Sequence, residues 1–299
     1  MKAVIDIGTN SVRLLVAELV EGIVKPYTRL TKITRIGRGV DAAGALPQDG
    51  MERTLGVLKE FKELIPAQVA VQVLATSAVR DASNQQEFAS LVREQTGWEL
   101  RVLSGQEEAK LSFRGAVLAL PIQDLDYPVS VVDIGGGSTE IFTGDHKGNL
   151  LGGGSVQVGA VRMLERFITN HPLLEGEWLA MEQEIGQLLA PLVEDNLQCG
   201  PKTLLAVGGT ATSLAAMIQE LPQFDYEKVG GFSFSYQELV DLYRKLGKLS
   251  LKERSQIPSL QLGREDVIIS GTSILVKTME LLGFEELIVS IGDLLYGSL

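Results

Sequence analysis

One short motif occurs twice in this chain, and the spacing of its two copies constrains the fold more than any other feature. Residues 4–11 read VIDIGTNS and residues 131–138 read VVDIGGGS, so five of eight aligned positions are identical. Asp133 stands 127 positions after Asp6, which is the length of one domain. Each copy is an apolar strand, an aspartate, a glycine turn and a hydroxyl residue before a second strand. The repeat predicts two related domains, each opening with a β-hairpin whose turn faces a common cleft; the alternative is chance similarity of two short strands.

Apolar segments rich in β-branched residues alternate with longer amphipathic ones, which indicates an α/β fold with covered sheets. Strands are predicted at 3–7, 11–19, 69–75, 100–103, 129–134, 139–143, 204–207 and 287–289. Helices are predicted at 48–64, 84–96, 106–118, 159–169, 176–196, 210–219, 236–246, 251–257 and 264–282, followed by a short final helix.

The domain boundary is predicted in segment 121–128, which contains two prolines and two aspartates. This gives an N-terminal domain at 1–125 and a C-terminal domain at 126–290. The final helix, at about 291–299, is expected to pack back on the first domain.

The chain is acidic, with 27 Lys and Arg against 38 Asp and Glu and a formal net charge of −11. Broad nucleic-acid binding and attachment to anionic membranes need cationic surfaces, so neither partner is expected. The single cysteine, Cys199, excludes an intrachain disulfide, and two histidines cannot build a Cys/His metal cluster. Asp6 interrupts the apolar N-terminus before an export signal develops, and the uncharged segment 203–219 contains two glycines. A cytoplasmic location is therefore expected.

The two repeated turns carry the groups that phosphate binding needs. In the first, Gly8 lets backbone amides approach a ligand while Thr9, Asn10 and Ser11 add side-chain donors. An ordinary hairpin turn with Asn10 in a left-handed conformation is the alternative.

The second turn combines three consecutive glycines with two carboxylates. Gly135, Gly136 and Gly137 precede Ser138, and close approach of the backbone to a phosphate explains their conformational cost. Asp133 and Glu140 bracket the turn, and both could reach a Mg²⁺ ion, which takes one or two protein carboxylates, phosphate oxygens and water. A flexible turn with solvated acids is the alternative.

A third glycine-rich junction joins the strand predicted at 204–207 to a helix. Gly208, Gly209 and Thr210 stand at the helix N-terminus, where amides and the helix dipole attract anions. Close packing of helix on strand would equally explain the two glycines.

The helix predicted at 106–118 begins with two adjacent glutamates. Ser104 and Glu107 have the spacing of a capping box, which assigns Glu107 a structural task. Glu108 points about 100° away around the helix and is free to orient or deprotonate a water molecule. A solvated acid stabilised by the helix dipole is the alternative for Glu108.

Cations are concentrated in two places outside these turns. Arg80 follows a buried strand and could bind phosphate through two hydrogen bonds, although a surface salt bridge explains its position as well. Segment 22–40 contains five cations and no acid, and either forms a charged edge strand or receives a long anionic substrate. The polyanion-binding candidates in this segment are Arg29, Lys32, Arg35 and Arg38.

Taken together, these motifs resemble the actin-like ATPase superfamily and, within it, the exopolyphosphatase/guanosine pentaphosphate phosphohydrolase family. The matching segments occur in the family's order at 5–14, 75–82, 103–109, 132–140, 159–167 and 264–268. The resemblance implies two actin-like (ribonuclease H-like) domains around a cleft and hydrolysis of a terminal phosphoanhydride with release of orthophosphate. The substrate would be inorganic polyphosphate, which the cationic segment favours, or guanosine pentaphosphate. A homodimer is compatible with the family.

Family roles can be assigned to individual residues of this sequence. The resemblance makes Glu108 the catalytic glutamate, Arg80 a phosphate-binding arginine, and Asp133 and Glu140 the acids associated with Mg²⁺ or another divalent cation. The turns at 10–11 and 135–138 match the family's phosphate loops. Whether Asp6 also contributes to the metal site is left open.

The sequence departs from the family pattern at three places. Thr9 replaces a usual serine, Gly230 stands where many members have histidine, and the tail 290–293 lacks a common arginine. Longer members append helical domains, so this chain is expected to be a two-domain short form. Two other functions are alternatives. A sugar or metabolite kinase of the superfamily would need an aspartate base. A non-catalytic nucleotide-binding sensor would not need Glu108, Asp133 and Glu140 together, so their presence argues against it.

Overall fold

The computed structural model describes residues 1–120 and 125–299, so part of the predicted boundary segment, 121–124, lies outside the described residues. In the described part, the chain forms two β-sheets covered by helices, which confirms the predicted α/β architecture. Within that part, no helix is both long and apolar enough to cross a membrane.

The first sheet lies in the N-terminal half. Its strands are β1 (Lys2–Ile7), β2 (Ser11–Val20), β3 (Ile23–Ile33), β4 (Ala70–Ala75) and β5 (Leu100–Val102). Their order is β3-β2-β1-β4-β5, with β1 antiparallel to β2 and parallel to β4. The central strand β1 is buried from Ala3 to Ile7, because helices cover both faces.

The second sheet lies in the C-terminal half. Its strands are β6 (Val129–Ile134), β7 (Thr139–Gly144), β8 (Leu150–Val156), β9 (Thr203–Val207), β10 (Ser233–Ser235) and β11 (Glu286–Val289). Their order is β10-β11-β9-β6-β7-β8, and β6 is antiparallel to β7 and parallel to β9. Apart from the added β10, this order repeats that of the first sheet, as the duplicated motif predicts.

Helices connect the strands and cover the sheets. They are α1 (Val40–Ala43), α2 (Gln48–Leu64), α3 (Ser77–Arg80), α4 (Gln85–Thr96), α5 (Gly105–Leu118), α6 (Ala160–Phe167), α7 (Glu175–Gln198), α8 (Gly208–Ile218), α9 (Tyr226–Val229), α10 (Tyr236–Gly247), α11 (Leu251–Arg254), α12 (Ile268–Leu282) and α13 (Leu294–Gly297).

The chain end packs against the first half of the molecule. In α13, Leu294, Leu295 and Tyr296 share an apolar cluster with Val4 and Leu15 of the first sheet. The backbone of α13 also lies directly on α5: an added Cβ at position 297 would come within 1.9 Å of the Leu111 carbonyl oxygen. This contact places the start of α13 beside the cleft between the two sheets.

Several elements differ from their predicted bounds. Strand β8 was not predicted, because it contains Gly152, Gly153 and Gly154, and glycine is rare in strands. Here glycine is required, since a Cβ at position 153 would meet the Ile141 carbonyl oxygen at 2.2 Å. Helix α12 begins at Ile268 rather than 264, which leaves Arg264 in a turn facing the cleft. Helix α11 ends at Arg254 rather than 257.

Candidate active site

The two repeated hairpins have the same geometry. In β1–β2, Ile7 pairs with Val12 and the Gly8 amide donates to the Ser11 carbonyl at 3.0 Å. In β6–β7, Ile134 pairs with Thr139 and the Gly135 amide donates to the Ser138 carbonyl at 2.9 Å. The equivalent registers bring both turns to the same edge of their sheets.

The turns meet across one cleft between the two halves of the molecule. The predicted site residues that line it are Thr9, Asn10, Ser11, Glu108, Asp133, Gly135, Gly136, Ser138, Gly208, Gly209 and Thr210. Asn10 is only 9% exposed, and neither its amide nitrogen nor its amide oxygen has a hydrogen-bond partner among the described residues. A buried amide without partners is costly, which fits a ligand-binding position.

Glycine in the second turn allows the two halves to touch. A Cβ at position 136 would lie 2.7 Å from the Thr9 Cβ, and one at position 137 would lie 2.1 Å from the Ser77 hydroxyl. From the sequence, these glycines were explained by a phosphate that approaches the backbone closely. The structure adds a second reason, because side chains of the opposite half also lie against this backbone. Gly137 lies beside the cleft, in a small neighbouring cavity with Ser77.

The junction of β9 and α8 forms the third wall. Gly208 has a left-handed conformation with φ of 85°, and a Cβ there would approach the Asp133 carboxylate to 2.9 Å. A Cβ at position 209 would lie 2.0 Å from the Arg264 guanidinium, so that side chain rests flat on Gly209. The glycines thus admit a carboxylate and a cation to the cleft wall.

The two glutamates at the start of α5 have different environments. Ser104 and Glu107 form a capping box, which confirms the prediction. The hydrogen bonds that Glu107 accepts from Ser104 and from Arg101 lower its pKa to about 2. Glu108 is only 8% exposed, so the alternative of a solvated acid does not hold. Its Oε2 accepts a hydrogen bond from Arg80 at 2.8 Å.

Burial and the nearby Glu140 raise the pKa of Glu108 well above its ordinary value, and Arg80 opposes this rise. Arg80 also donates to the Leu103 carbonyl at 3.0 Å. It therefore stands behind Glu108 as a half-buried ion-pair partner rather than lining the cleft wall.

Asp133 and Glu140 are direct cross-strand partners in β6–β7. Asp133 accepts a hydrogen bond from Ser112 and Glu140 accepts one from Ser155, each at 2.6 Å. Burial raises the pKa of Asp133 to about 6. Burial and the neighbouring Asp133 raise that of Glu140 to about 7. Two buried carboxylates side by side therefore favour binding of either a proton or a cation.

The equivalent positions in β1–β2 hold Asp6 and Arg13, which sequence reasoning did not assign to the site. Asp6 pairs with Arg13 in the register just as Asp133 pairs with Glu140. Arg13 donates to Asp6 Oδ2 from Nε at 2.9 Å and from Nη2 at 2.6 Å. The repeat itself carried the missing signal, since Arg13 stands 127 positions before Glu140.

Arg264 is a second cation that sequence reasoning did not assign to the site, although it lies in a segment that matches the family. Its Nε donates to Gln261 at 2.9 Å, and it forms no ion pair with a residue in the described ranges. Burial lowers the pKa of Arg264 to about 10, which still leaves it charged at neutral pH. An unpaired guanidinium in the cleft wall suits an anionic ligand.

The four cations of the predicted polyanion strip are not brought together. Arg29 stacks on the Tyr226 ring at 3.9 Å and donates to the Ile291 carbonyl, whereas Lys32 pairs with the exposed Glu60 at 2.9 Å. Of these four, only Arg35 and Arg38 share a cavity, which adjoins the cleft at Thr9 and Asn10. Arg35 is also paired with Asp266 of the opposite half at 2.9 Å.

The carboxylates around the cleft offer oxygen ligands to a divalent cation. In the described residues, no group of three or more His, Cys, Asp or Glu side chains is arranged to hold a metal ion. However, Asp6 Oδ1 and Glu140 Oε2 are buried carboxylate oxygens without a hydrogen-bond partner in the same residues. Few carboxylates, supplemented by substrate oxygens and water, are what Mg²⁺ requires, so the residues fit.

Comparisons with known proteins agree over nearly the whole chain. A sequence profile described as the Ppx/GppA phosphatase family matches residues 15–299. Exopolyphosphatase 2 of Mycobacterium tuberculosis is 33% identical over 99% of this chain and 96% of its own. The crystal structure of an exopolyphosphatase from Cytophaga hutchinsonii superimposes with a TM-score of 0.90 at 27% identity, covering 99% and 95% of the two chains. That of the Aquifex aeolicus PPX-GPPA enzyme gives 0.81 at 31% identity, covering 99% and 97%.

Proposed function

Because this chain belongs to the Ppx/GppA phosphatase family, we propose that it acts as an exopolyphosphatase, which transfers the terminal phosphoryl group of inorganic polyphosphate to water. The observation that carries the proposal is the convergence of two matched glycine turns, the buried Glu108 and the unpaired Arg264 on one cleft. Amide donors and cations bind a phosphate chain there, and Glu108 supplies a base beside it.

Glu108 has the properties of a general base for water. Its raised pKa makes the carboxylate a stronger proton acceptor than an ordinary glutamate. The hydrogen bond from Arg80 to Oε2 fixes the orientation of the carboxylate, so the other oxygen is available to orient a water molecule and take its proton. Holding this water in line with the terminal phosphorus provides most of the catalysis in such a transfer.

The other charged groups bind and orient the substrate. The Gly8 and Gly135 amides close their own hairpins, so the other backbone amides of these two turns, with the partnerless side-chain amide of Asn10, would hold the terminal phosphates. Arg264 would bind phosphates further along the chain. Asp133 and Glu140 would hold a divalent cation, which when bound neutralises charge on the phosphate oxygens.

Polyphosphate is the proposed polymer substrate because the cleft continues into the cavity lined by Arg35 and Arg38. Both cations belong to the strip predicted from sequence, and in the described residues Arg38 forms no ion pair. A polymer has phosphates to place on them, whereas no feature of the described cleft is specific for guanine.

The test is phosphate release from polyphosphate and from guanosine pentaphosphate, measured side by side with Mg²⁺ and without ATP. Glu108→Gln should lower turnover on polyphosphate by about 10²- to 10⁴-fold while binding persists, because only the base is lost. The matched control is Glu107→Gln, which removes the same charge one position away and keeps the capping box, since glutamine serves there too. Near-normal turnover by Glu108→Gln would remove Glu108 from this role. Absence of release from polyphosphate by the wild-type protein would refute the proposed function.

A further inference from the structure

The final helix brings a third acid to the Asp6–Arg13 pair. Asp293 Oδ2 accepts a hydrogen bond from Arg13 Nη1, while Arg13 Nε and Nη2 donate to Asp6 Oδ2. One guanidinium thus bridges two carboxylates that are 287 positions apart in sequence, and both are only 2% exposed. Asp293 stands behind Arg13, in a small adjoining cavity rather than in the main cleft.

The position of Asp293 is fixed from two directions. Its Oδ1 accepts from the Leu295 amide at 3.0 Å, which caps α13. Its backbone lies on α5, where a Cβ at Gly115 would be only 1.9 Å from the Asp293 carbonyl oxygen. Moving the carboxylate away from Arg13 would therefore break the helix cap or shift the helix.

This arrangement decides which oxygen of Asp6 is free. Two of the three guanidinium nitrogens of Arg13 donate to Asp6 Oδ2, and the third donates to Asp293. Asp6 Oδ1 consequently stays buried without a partner in the described residues, on a side chain that lines the cleft. A single positive charge shared by two carboxylates also leaves a negative charge there, which favours a cation.

We propose that Asp293 is a positioning residue of the cation site: it holds Arg13 so that Asp6 keeps one carboxylate oxygen free for a divalent cation. This inference rests on the proposed function, because it assigns Asp293 a task in the same cleft. Without the charge of Asp293 on Nη1, the whole guanidinium would be free to reorient and donate to both oxygens of Asp6, which would occupy the free oxygen. Groups behind metal ligands act in this way by fixing ligand orientation and charge.

The experiment is Mn²⁺ binding to the substrate-free protein, measured by calorimetry, for wild type and Asp293→Asn. Asparagine keeps the helix cap through its oxygen but presents an amide nitrogen to Arg13. We expect the dissociation constant for Mn²⁺ to rise about tenfold or more. The Mn²⁺ concentration for half-maximal phosphate release should rise in parallel, with turnover restored at saturating Mn²⁺. Asp293→Ser, which also caps a helix without a charge, should behave alike and serves if the asparagine variant does not fold.

The matched control is Asp225→Asn. Asp225 caps α9 by accepting from the Glu227 amide at 2.9 Å, and within the described residues it forms no ion pair. This variant should bind Mn²⁺ as the wild type does. Unchanged Mn²⁺ affinity in Asp293→Asn would overturn the inference, as would lost turnover that saturating Mn²⁺ does not restore. Both outcomes are distinct from failure of the proposed function, in which the wild-type protein releases no phosphate from polyphosphate.

Discussion

Replacing Glu140 by glutamine should stabilise the metal-free protein above neutral pH. Glu140 is 2% exposed, lies opposite Asp133, and has one oxygen without a partner in the described residues. Burial and Asp133 raise its pKa from 4.5 to about 7. At about 1.4 kcal/mol for each pH unit between those values, ionising Glu140 costs the folded protein on the order of 3 kcal/mol.

The direction of the pH dependence follows from proton binding. Between pH 4.5 and about 7 the folded state holds a proton on Glu140 that the unfolded chain has released. The free energy of unfolding therefore falls as pH rises through this window. The contribution of Glu140 is fully present below pH 4.5 and lost above about 7. Glutamine cannot ionise, so the variant should lose this part of the pH dependence.

The assay is urea denaturation at several pH values from 5 to 8, in EDTA, monitored by tryptophan fluorescence. Trp178 packs against the core of the second half, where Glu140 lies, and Trp98 packs against the core of the first half, so the signal follows unfolding of both. Glu107→Gln is the control, because an exposed capping glutamate whose pKa is about 2 remains ionised across this range. Equal pH slopes for the wild type and Glu140→Gln would refute the assignment of Glu140 as a buried acid with a raised pKa.

Two further predictions concern the cations around the cleft. Arg80→Gln should move the acidic limb of the pH–rate profile on polyphosphate to higher pH, because Arg80 lowers the pKa of Glu108 in the wild type. An acidic limb at the same pH in the variant would contradict this coupling. The double variant Arg35→Gln/Arg38→Gln should raise KM for long polyphosphate more than for tripolyphosphate. Lys32→Gln is the control, because Lys32 pairs with Glu60 and does not line this cavity. Equal effects on both chain lengths would exclude the cavity from the path of the polymer.

Local sequence patterns were sufficient for the parts of the site that a single turn builds. The duplicated motif predicted both hairpins, and their registers coincide residue for residue. The capping box at Ser104 and Glu107 was predicted from a spacing of three residues. The alternation of side chains along β3 could also have predicted that Arg29 and Lys32 lie on opposite faces of the sheet, because they are three positions apart on one strand.

Contacts between distant segments could not be read from such patterns. From its position in the helix, Glu108 would be an exposed first-turn acid. Burial by the surrounding elements and the charge of Glu140 raise its pKa, and Arg80 donates to it, which no local pattern predicts. The role of Arg264 depends on Gly209, because the guanidinium rests where a side chain would otherwise stand.

The sequence by itself determined the two-sheet architecture, the glycine turns and the acids at their ends, because periodicity, turn chemistry and the repeat are local properties. The tertiary structure decided which charges meet. Arg13 and Asp293 come from opposite ends of the chain, and the glycine contact between α5 and α13 brings them together. Packing also sets how strongly each carboxylate holds a proton, since desolvation arises only when the surrounding elements assemble.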